Sequence, residues 1–366
     1  MADHLRIALL FSFTPGYHEG VLRGISAFAR PHKPWLFRLL DIRDQSAIRA
    51  YAPHGVICSV LNAESGAGVV ALGLPAVNVG IHDYAAALPA IGNDDQRIGA
   101  LAADHYQARG FTSFAFFASR RSPTAERRGE GFRAALAAMA HPCAWHIGTD
   151  PASWLGALPP RTAIFTMNDH DGAVLLEACR IVGVGVPEEV AVVGVDNVES
   201  LCLLAMPPLS SVAVGSERIG WEAAAALAEL LAGRRPALRM NVPPLGVVAR
   251  RSSDLVASGD PHLAAALRFI GDHAGQAIGV GDVLKAVPIA RRTLELRFRT
   301  QLGRSVLGEI RRVRLERARF LLATTDLAMP AVAQAAGFGD AKQFATVFGV
   351  AEGLSPLRYR QRFRIA

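Results

Sequence analysis

The chain has 366 residues, 51% of them apolar, and a formal net charge of +7. That length exceeds one ordinary core and predicts two domains, while no apolar run reaches the roughly 18 residues needed for a helical membrane span. The charge is uneven: residues 1–255 carry 22 basic against 23 acidic side chains, residues 256–366 carry 17 against 9, and a basic excess confined to one small region points to a polyanionic partner.

The N-terminal run from Ile7 to Phe13 lacks a basic flank and a cleavage site, so it predicts a first strand rather than a signal peptide, and a cytoplasmic protein. Short apolar runs then alternate with helical patterns: 6–13, a helix from Gly16 to Ala29, 35–42, 55–60, 75–81, 113–119, a helix over 125–139, 161–169 and 190–197. Continuous apolar strands alternating with helices predict a parallel sheet covered on both faces, with ligands bound beyond the carboxyl ends of the strands. The polar residues at those ends are therefore candidate ligand contacts: Asp94 and Asp95, Asn168 and Asp169, and Asp196, with Arg128 at the start of a helix. Carboxylates accept from adjacent hydroxyls, a guanidinium donates in a fork, and Phe13 or Tyr17 can pack on the apolar face of a sugar ring. The same acids and amides could instead cap the helices that follow them.

The four cysteines, Cys58, Cys143, Cys179 and Cys202, lack CxxC spacing and read as buried free thiols, with no metal site expected. No GxGxxG, Walker loop, HExxH or GxSxG is present, so neither a cofactor nor an enzyme is expected.

The stretches "VPEEVAVVGVDN" (186–197), "PPLSSVAVGSERIGWEAAAALAELLAG" (207–233) and "VPPLGVVARRSS" (242–253) resemble the effector domain of LacI/GalR-type regulators. The resemblance implies a two-lobed, periplasmic-binding-protein-like α/β sensor over residues 1–253. It also implies ligand contacts at Arg128, Asn168 and Asp196, with Asp94 or Asp95 in the matching "NDDQRIG" stretch and Asp169 adjacent. Such regulators usually carry a DNA-binding unit ahead of the sensor, whereas about five residues precede the first strand of this sequence.

Past residue 253 the composition shifts. Ser252, Ser253, Ser258, Gly259 and Pro261 mark a polar linker, placed at 254–260. An all-α region follows over 261–366, with two helix-turn-helix units at about 280–302 and 329–351 joined by a long amphipathic helix. The two units echo each other, each with a short apolar helix, a turn, a helix ending in phenylalanine and a glycine stop. Ala333, Gly337, Phe338, Phe344, Phe348, Gly353, Pro356, Tyr359 and Arg360, with Leu294, Phe298, Gly303, Arg314, Leu315, Ala318 and Leu322, resemble the AraC/XylS signature.

That resemblance implies that the second helix of each unit enters the major groove. Arg292, Glu295 and Leu296, and Lys342, Gln343 and Thr346, would then face bases. Arg291, Arg297, Arg311 and Arg358 would meet phosphates or water. The connecting helix, about 18 residues and roughly 27 Å long, would space the two readers toward the ~34 Å of one DNA turn. A LacI-type sensor ahead of an AraC-type reader implies a sugar-responsive activator, dimeric through its sensor. A pentose such as xylose would be the effector, with duplex DNA and RNA polymerase as partners.

Overall fold

The computed structural model describes residues 4–11, 16–32, 35–80, 83–138, 140–254 and 260–363. Two units emerge, one holding residues up to Asp94 and Val214–Pro244, the other Asp95–Ala213 and the chain from Leu245 onward. Among the described residues the chain therefore passes between them three times, at 94/95, 213/214 and 244/245.

In the first unit, β1 (Leu5–Leu10), α1 (Tyr17–His32), β2 (Trp35–Leu40), α2 (Gln45–Tyr51), β3 (Gly55–Cys58), α3 (Ala63–Val70), β4 (Ala76–Asn78) and β5 (Ala90–Asn93) alternate as expected. The second unit opens with α4 (Asp95–Gln107), β6 (Ser113–Ala118), α5 (Pro123–Ala137), β7 (Cys143–Ile147), α6 (Ala152–Gly156), β8 (Thr162–Thr166), α7 (Asp169–Val182), β9 (Val190–Val195), α8 (Glu199–Leu204) and β10 (Ser210–Ala213). The chain returns to the first unit for α9 (Ser216–Leu231) and β11 (Arg239–Val242), then re-enters the second with β12 (Gly246–Val248).

Each unit builds one six-stranded sheet, ordered β11-β5-β4-β3-β1-β2 and β12-β10-β9-β8-β6-β7. The described pairings are parallel except that between β10 and β12. Central strands such as β3, β8 and β9 are buried at every residue, because helices cover both faces and leave no polar side to the pleat. At the edge, β2 exposes Leu36, Phe37 and Leu39. Cys58, Cys179 and Cys202 are buried free thiols, whereas Cys143, on the edge strand β7, is only half-buried.

Helices α4 and α5 approach closely enough that a Cβ on Gly99 would lie 2.1 Å from the Arg128 carbonyl oxygen, and one on Gly131 2.2 Å from that of Gln96. Only glycine permits that crossing, which holds the start of α4 against the middle of α5.

The reader is all-helical among its described residues: α10 (Pro261–Asp272), α11 (Val280–Ala286), α12 (Arg291–Leu302), α13 (Val306–Thr324), α14 (Met329–Ala335), α15 (Ala341–Glu352) and α16 (Pro356–Phe363). It has two cores. One gathers Leu263, Ile270, Val283, Leu294 and Phe298, the other Leu322, Val332, Phe344, Phe348 and Tyr359. Gly337 turns at φ +80°, where a Cβ would strike the Ala274 carbonyl at 2.3 Å, so the second unit's turn lies against the loop that follows α10. Arg314 of α13 donates to the carbonyls of Gln276 (3.2 Å) and Ile278 (2.6 Å) in that same loop.

One expectation is corrected at the junction. Ser252 and Ser253, read as the start of a polar linker, are fully buried. The Ser252 hydroxyl donates to Val192 O (2.6 Å) and accepts from Ser210 N–H (2.8 Å), and that of Ser253 donates to Ser210 Oγ (2.7 Å). Residues 255–259 of the expected linker lie outside the described residues.

Candidate ligand site and nucleic-acid interface

In the sensor half of the second unit, β9 ends on two consecutive residues with positive φ, Asp196 (+100°) and Asn197 (+50°). A non-glycine residue held there marks a place where surrounding structure overrides backbone preference. Three contacts do this: Asp196 N–H donates to Val212 O (3.0 Å), Asn197 N–H to Ser211 Oγ (3.0 Å), and Arg250 Nη2 to Asn197 Oδ1 (2.8 Å). Arg250 is a positioning residue that sequence reasoning missed.

The strained turn brings Asp196 to Arg128. Arg128 Nε donates to Asp95 Oδ1 (2.9 Å) and Nη1 to Met167 O (2.6 Å), with Nη2 3.7 Å from Asp196 Oδ1. The side chains of Arg128 and Asp95 are each 5% exposed and that of Asp196 is 16% exposed. One buried cation thus serves two carboxylates. Burial pushes Asp196 up from the ordinary carboxylate range, Arg128 pulls it down, and Asp95 pushes it up again. The more open Asp196 carboxylate is placed to accept from a ligand hydroxyl while the guanidinium donates.

Two other candidates are used by the lobe itself. Asn168 caps α7, its Oδ1 accepting from Asp171 N–H at 2.8 Å. Asp169 is buried, accepting from Ser211 Oγ (2.5 Å), Val198 N–H (2.7 Å) and Cys202 Sγ (3.4 Å). Burial and the neighbouring Asp196 charge raise its pKa to about 7, against the hydrogen bonds it accepts. Its partners lie in the turn after β9, in α8 and on β10. Tyr17 and Asp94 belong to the first unit: Tyr17 packs on that unit's core, and Asp94 N–H donates to Val242 O (2.9 Å). Phe13 lies outside the described residues.

A second polar cluster joins this lobe to the reader. Glu309 of α13 is 2% exposed and paired with both Arg304 and Arg312, and Arg312 continues to Glu316 (2.9 Å). Burial alone would raise the Glu309 pKa, but the two guanidinium groups hold it below its ordinary value. Arg304 Nη2 donates to Ala108 O at the end of α4 (3.2 Å), and α13 packs on β12.

Beside it, Arg109 Nη1 donates to His105 Nδ1 (3.0 Å). Since arginine only donates, His105 is the Nε2–H tautomer, and its 2.9 Å contact with Ser253 Oγ is a donation to that hydroxyl. Burial, with the charges of Arg109 and Arg312, keeps the ring neutral. Helix α4 therefore carries Asp95 at one end and meets the reader at the other.

In the reader, Phe298, Phe344 and Phe348 face inward while Arg291, Arg292, Leu296, Lys342, Gln343 and Thr346 face outward. Asp340 caps α15, accepting from Gln343 N–H (2.7 Å), whereas Ala290 gives α12 no side-chain cap. Two expected nucleic-acid contacts are turned elsewhere. Glu295 Oε2 accepts from Val306 N–H (3.3 Å) at the start of α13, and Arg297 pairs with Asp260, the N-cap of α10. Arg317, Arg319 and Arg360 are likewise bound to Ala335 O, Glu352 and Leu327 O. Part of the basic excess therefore holds the reader together. Arg291, Arg292, Arg299 and Lys342 of α12 and α15 are all exposed.

Comparison with known proteins agrees with the two-part fold. A family described as a periplasmic binding protein-like domain matches residues 103–253, and one described as a helix-turn-helix domain matches residues 283–362. The xylose operon regulatory protein of Escherichia coli strain K12 is 31% identical, over 97% of this chain and 96% of its own. The protein of the same name in Haemophilus influenzae is 27% identical over 98% of each. A solved structure of the xylose-binding transcription activator xylR is 28% identical, with a TM-score of 0.63 over 99% of both chains. The CelR–cellobiose complex, at 21% identity and TM-score 0.57 over 69% of this chain and 86% of that one, shares the fold. The two matched domains and these relatives, similar over nearly the whole chain, place it among the AraC/XylS-type DNA-binding transcription regulators that carry a periplasmic-binding-protein-like sensor.

Proposed function

We propose that the chain is a sugar-controlled transcription activator, with a pentose such as xylose as effector, and that Arg128 and Asp196 bind the sugar while Asp95 holds Arg128. The observation that carries this reading is the buried guanidinium shared between two carboxylates at a strained strand end. The names of the two regulators and of the solved activator, all xylose-related, support the choice of sugar. Adjacent sugar hydroxyls suit a carboxylate that accepts and a fork that donates. A non-ionic, polar ligand also fits a cluster in which one guanidinium already faces two carboxylates and no further anion is accommodated.

Coupling to DNA runs through α4. A sugar that draws on Asp196 and Arg128 changes the restraint on Asp95, in the first turn of α4. The far end of that helix is held by Arg304, beside Glu309 at the start of α13. The helix between the two reading units therefore feels the occupancy of the site. Dimerisation through the sensor and contact with RNA polymerase complete the reading, on the family resemblance.

Thermal shift against pentoses and hexoses tests it, since a ligand at a hundred times its Kd stabilises by about 2.7 kcal/mol. The expected result is a pentose-specific shift, lost in Asp196→Asn and Arg128→Ala, with duplex DNA affinity retained in both. A shift that survives both substitutions would remove the site from Arg128, and a response to hexoses alone would change the effector class.

A further inference from the structure

The outward faces of α12 and α15 combine cations with methyl groups. On α15, Gln343, Thr346 and Val350 are spaced three and seven residues apart and form one stripe. Val350 is 85% exposed in the last turn, and Lys342 stands one turn before Thr346 on the helix surface. On α12, Leu296 is 60% exposed, with Arg292, Arg299 and Thr300 around it.

Both threonines turn their hydroxyls back onto the helix: Thr300 donates to Leu296 O (2.9 Å) and Thr346 to Lys342 O (3.0 Å). That commits each hydroxyl proton to the backbone, so toward a base edge the side chain keeps an acceptor oxygen and a γ-methyl but no donor. Each face then presents apolar carbon from its middle, at Leu296 or Thr346, to its last turn, at Thr300 or Val350. Glu295, which could have accepted from cytosine, is bound to Val306 N–H. An exposed leucine or valine offers nothing to a hydrogen-bond code. In the major groove the apolar feature that distinguishes one base from the others is the C5-methyl of thymine.

We propose that both reading helices select sequence through thymine methyl groups, seated on Leu296 and Thr300 in the first unit and on Thr346 and Val350 in the second, while Arg292, Arg299 and Lys342 supply phosphate attraction and purine contacts. The proposal rests on the reading of α12 and α15 as the DNA-facing helices and adds what they recognise. It predicts binding sites with T·A pairs opposite the middle and the last turn of each reading helix.

The test selects duplexes from a randomised library with the full-length chain. The preferred duplex is then remade with deoxyuridine for thymidine on both strands, which keeps every Watson–Crick donor and acceptor and removes only the methyl groups. The expected loss is about fourfold for each seated methyl, with affinity for the unselected library unchanged. Thr346→Ser, which keeps the backbone hydrogen bond, and Val350→Ala should each weaken the thymidine duplex by a similar factor. The combined Leu296→Ala, Thr300→Ser, Thr346→Ser, Val350→Ala variant should bind the two duplexes equally.

Equal binding of both duplexes by the unsubstituted chain would overturn the proposal while leaving the reader intact. So would a uridine penalty that persists in the combined variant, since it would then reflect DNA deformability rather than these side chains. If the chain selects no sequence, the proposal and the reading beneath it fall together.

Discussion

The two helix-turn-helix units repeat at an offset of fifty residues: Ala290 answers to Asp340, Leu294 to Phe344, Phe298 to Phe348, Gly303 to Gly353 and Ser305 to Ser355. At the apolar and glycine positions the correspondence is one of function. Both phenylalanines are buried in their own cores, and both glycines stop a helix at positive φ. At the polar positions it fails. Asp340 caps its helix and Ala290 does not; Glu295 is tied to α13 where its counterpart is Ala345; Arg297 is tied to Asp260 where its counterpart is Val347. A repeated core therefore specifies a repeated backbone. What each polar side chain does depends on the element that lies beside it, and those elements are not repeated.

The largest effect should come from the shared positions. Phe298→Ala and Phe348→Ala should each cost about 3–5 kcal/mol, and because the cores are separate each loss should fall on its own unit. Hydrogen exchange resolved by residue checks this: Phe298→Ala should deprotect α12 and spare α15, and the reverse for Phe348→Ala. Uniform deprotection of both would mean that the units form one cooperative body.

The smaller effects lie where the units differ. Asp340→Ala should cost about 1 kcal/mol, and Ala290→Ser should stabilise α12 by up to about the same amount. Glu295→Ala should also cost about 1 kcal/mol through the lost bond to Val306, measured by denaturant unfolding, and leave the selected DNA sequence unchanged. A changed sequence would return Glu295 to the reading face.

Much of this was legible in the sequence because it depends on local pattern. The strand–helix alternation follows from apolar runs, and the reader from glycine and phenylalanine spacing. Asp196 and Arg128 stood out as polar groups at strand and helix ends. What escaped is long-range. Ser252 and Ser253 look like linker residues until their partners, Val192 and Ser210, are known to be adjacent.

Asp169 reads like a ligand contact, and the hydrogen bond it accepts from Ser211, 42 residues on, could not be read from the chain. The choice between Asp94 and Asp95 turns on where α4 begins, a boundary one residue wide. The short strands β7, β10, β11 and β12 carry little pattern of their own and exist because neighbouring strands offer them a ladder. The basic excess pointed to DNA, yet several arginines counted in it are bound within the reader.

The central claim, that both units grip one duplex, is tested most directly by the salt dependence of full-length chain binding to a single selected duplex. Each neutralised phosphate contributes about −0.9 to the slope of log affinity against log salt. The account predicts that Arg292→Ala and Lys342→Ala each flatten the slope by about one, and that the double variant flattens it by about two. A slope unmoved by either substitution would mean that the corresponding unit does not touch the DNA.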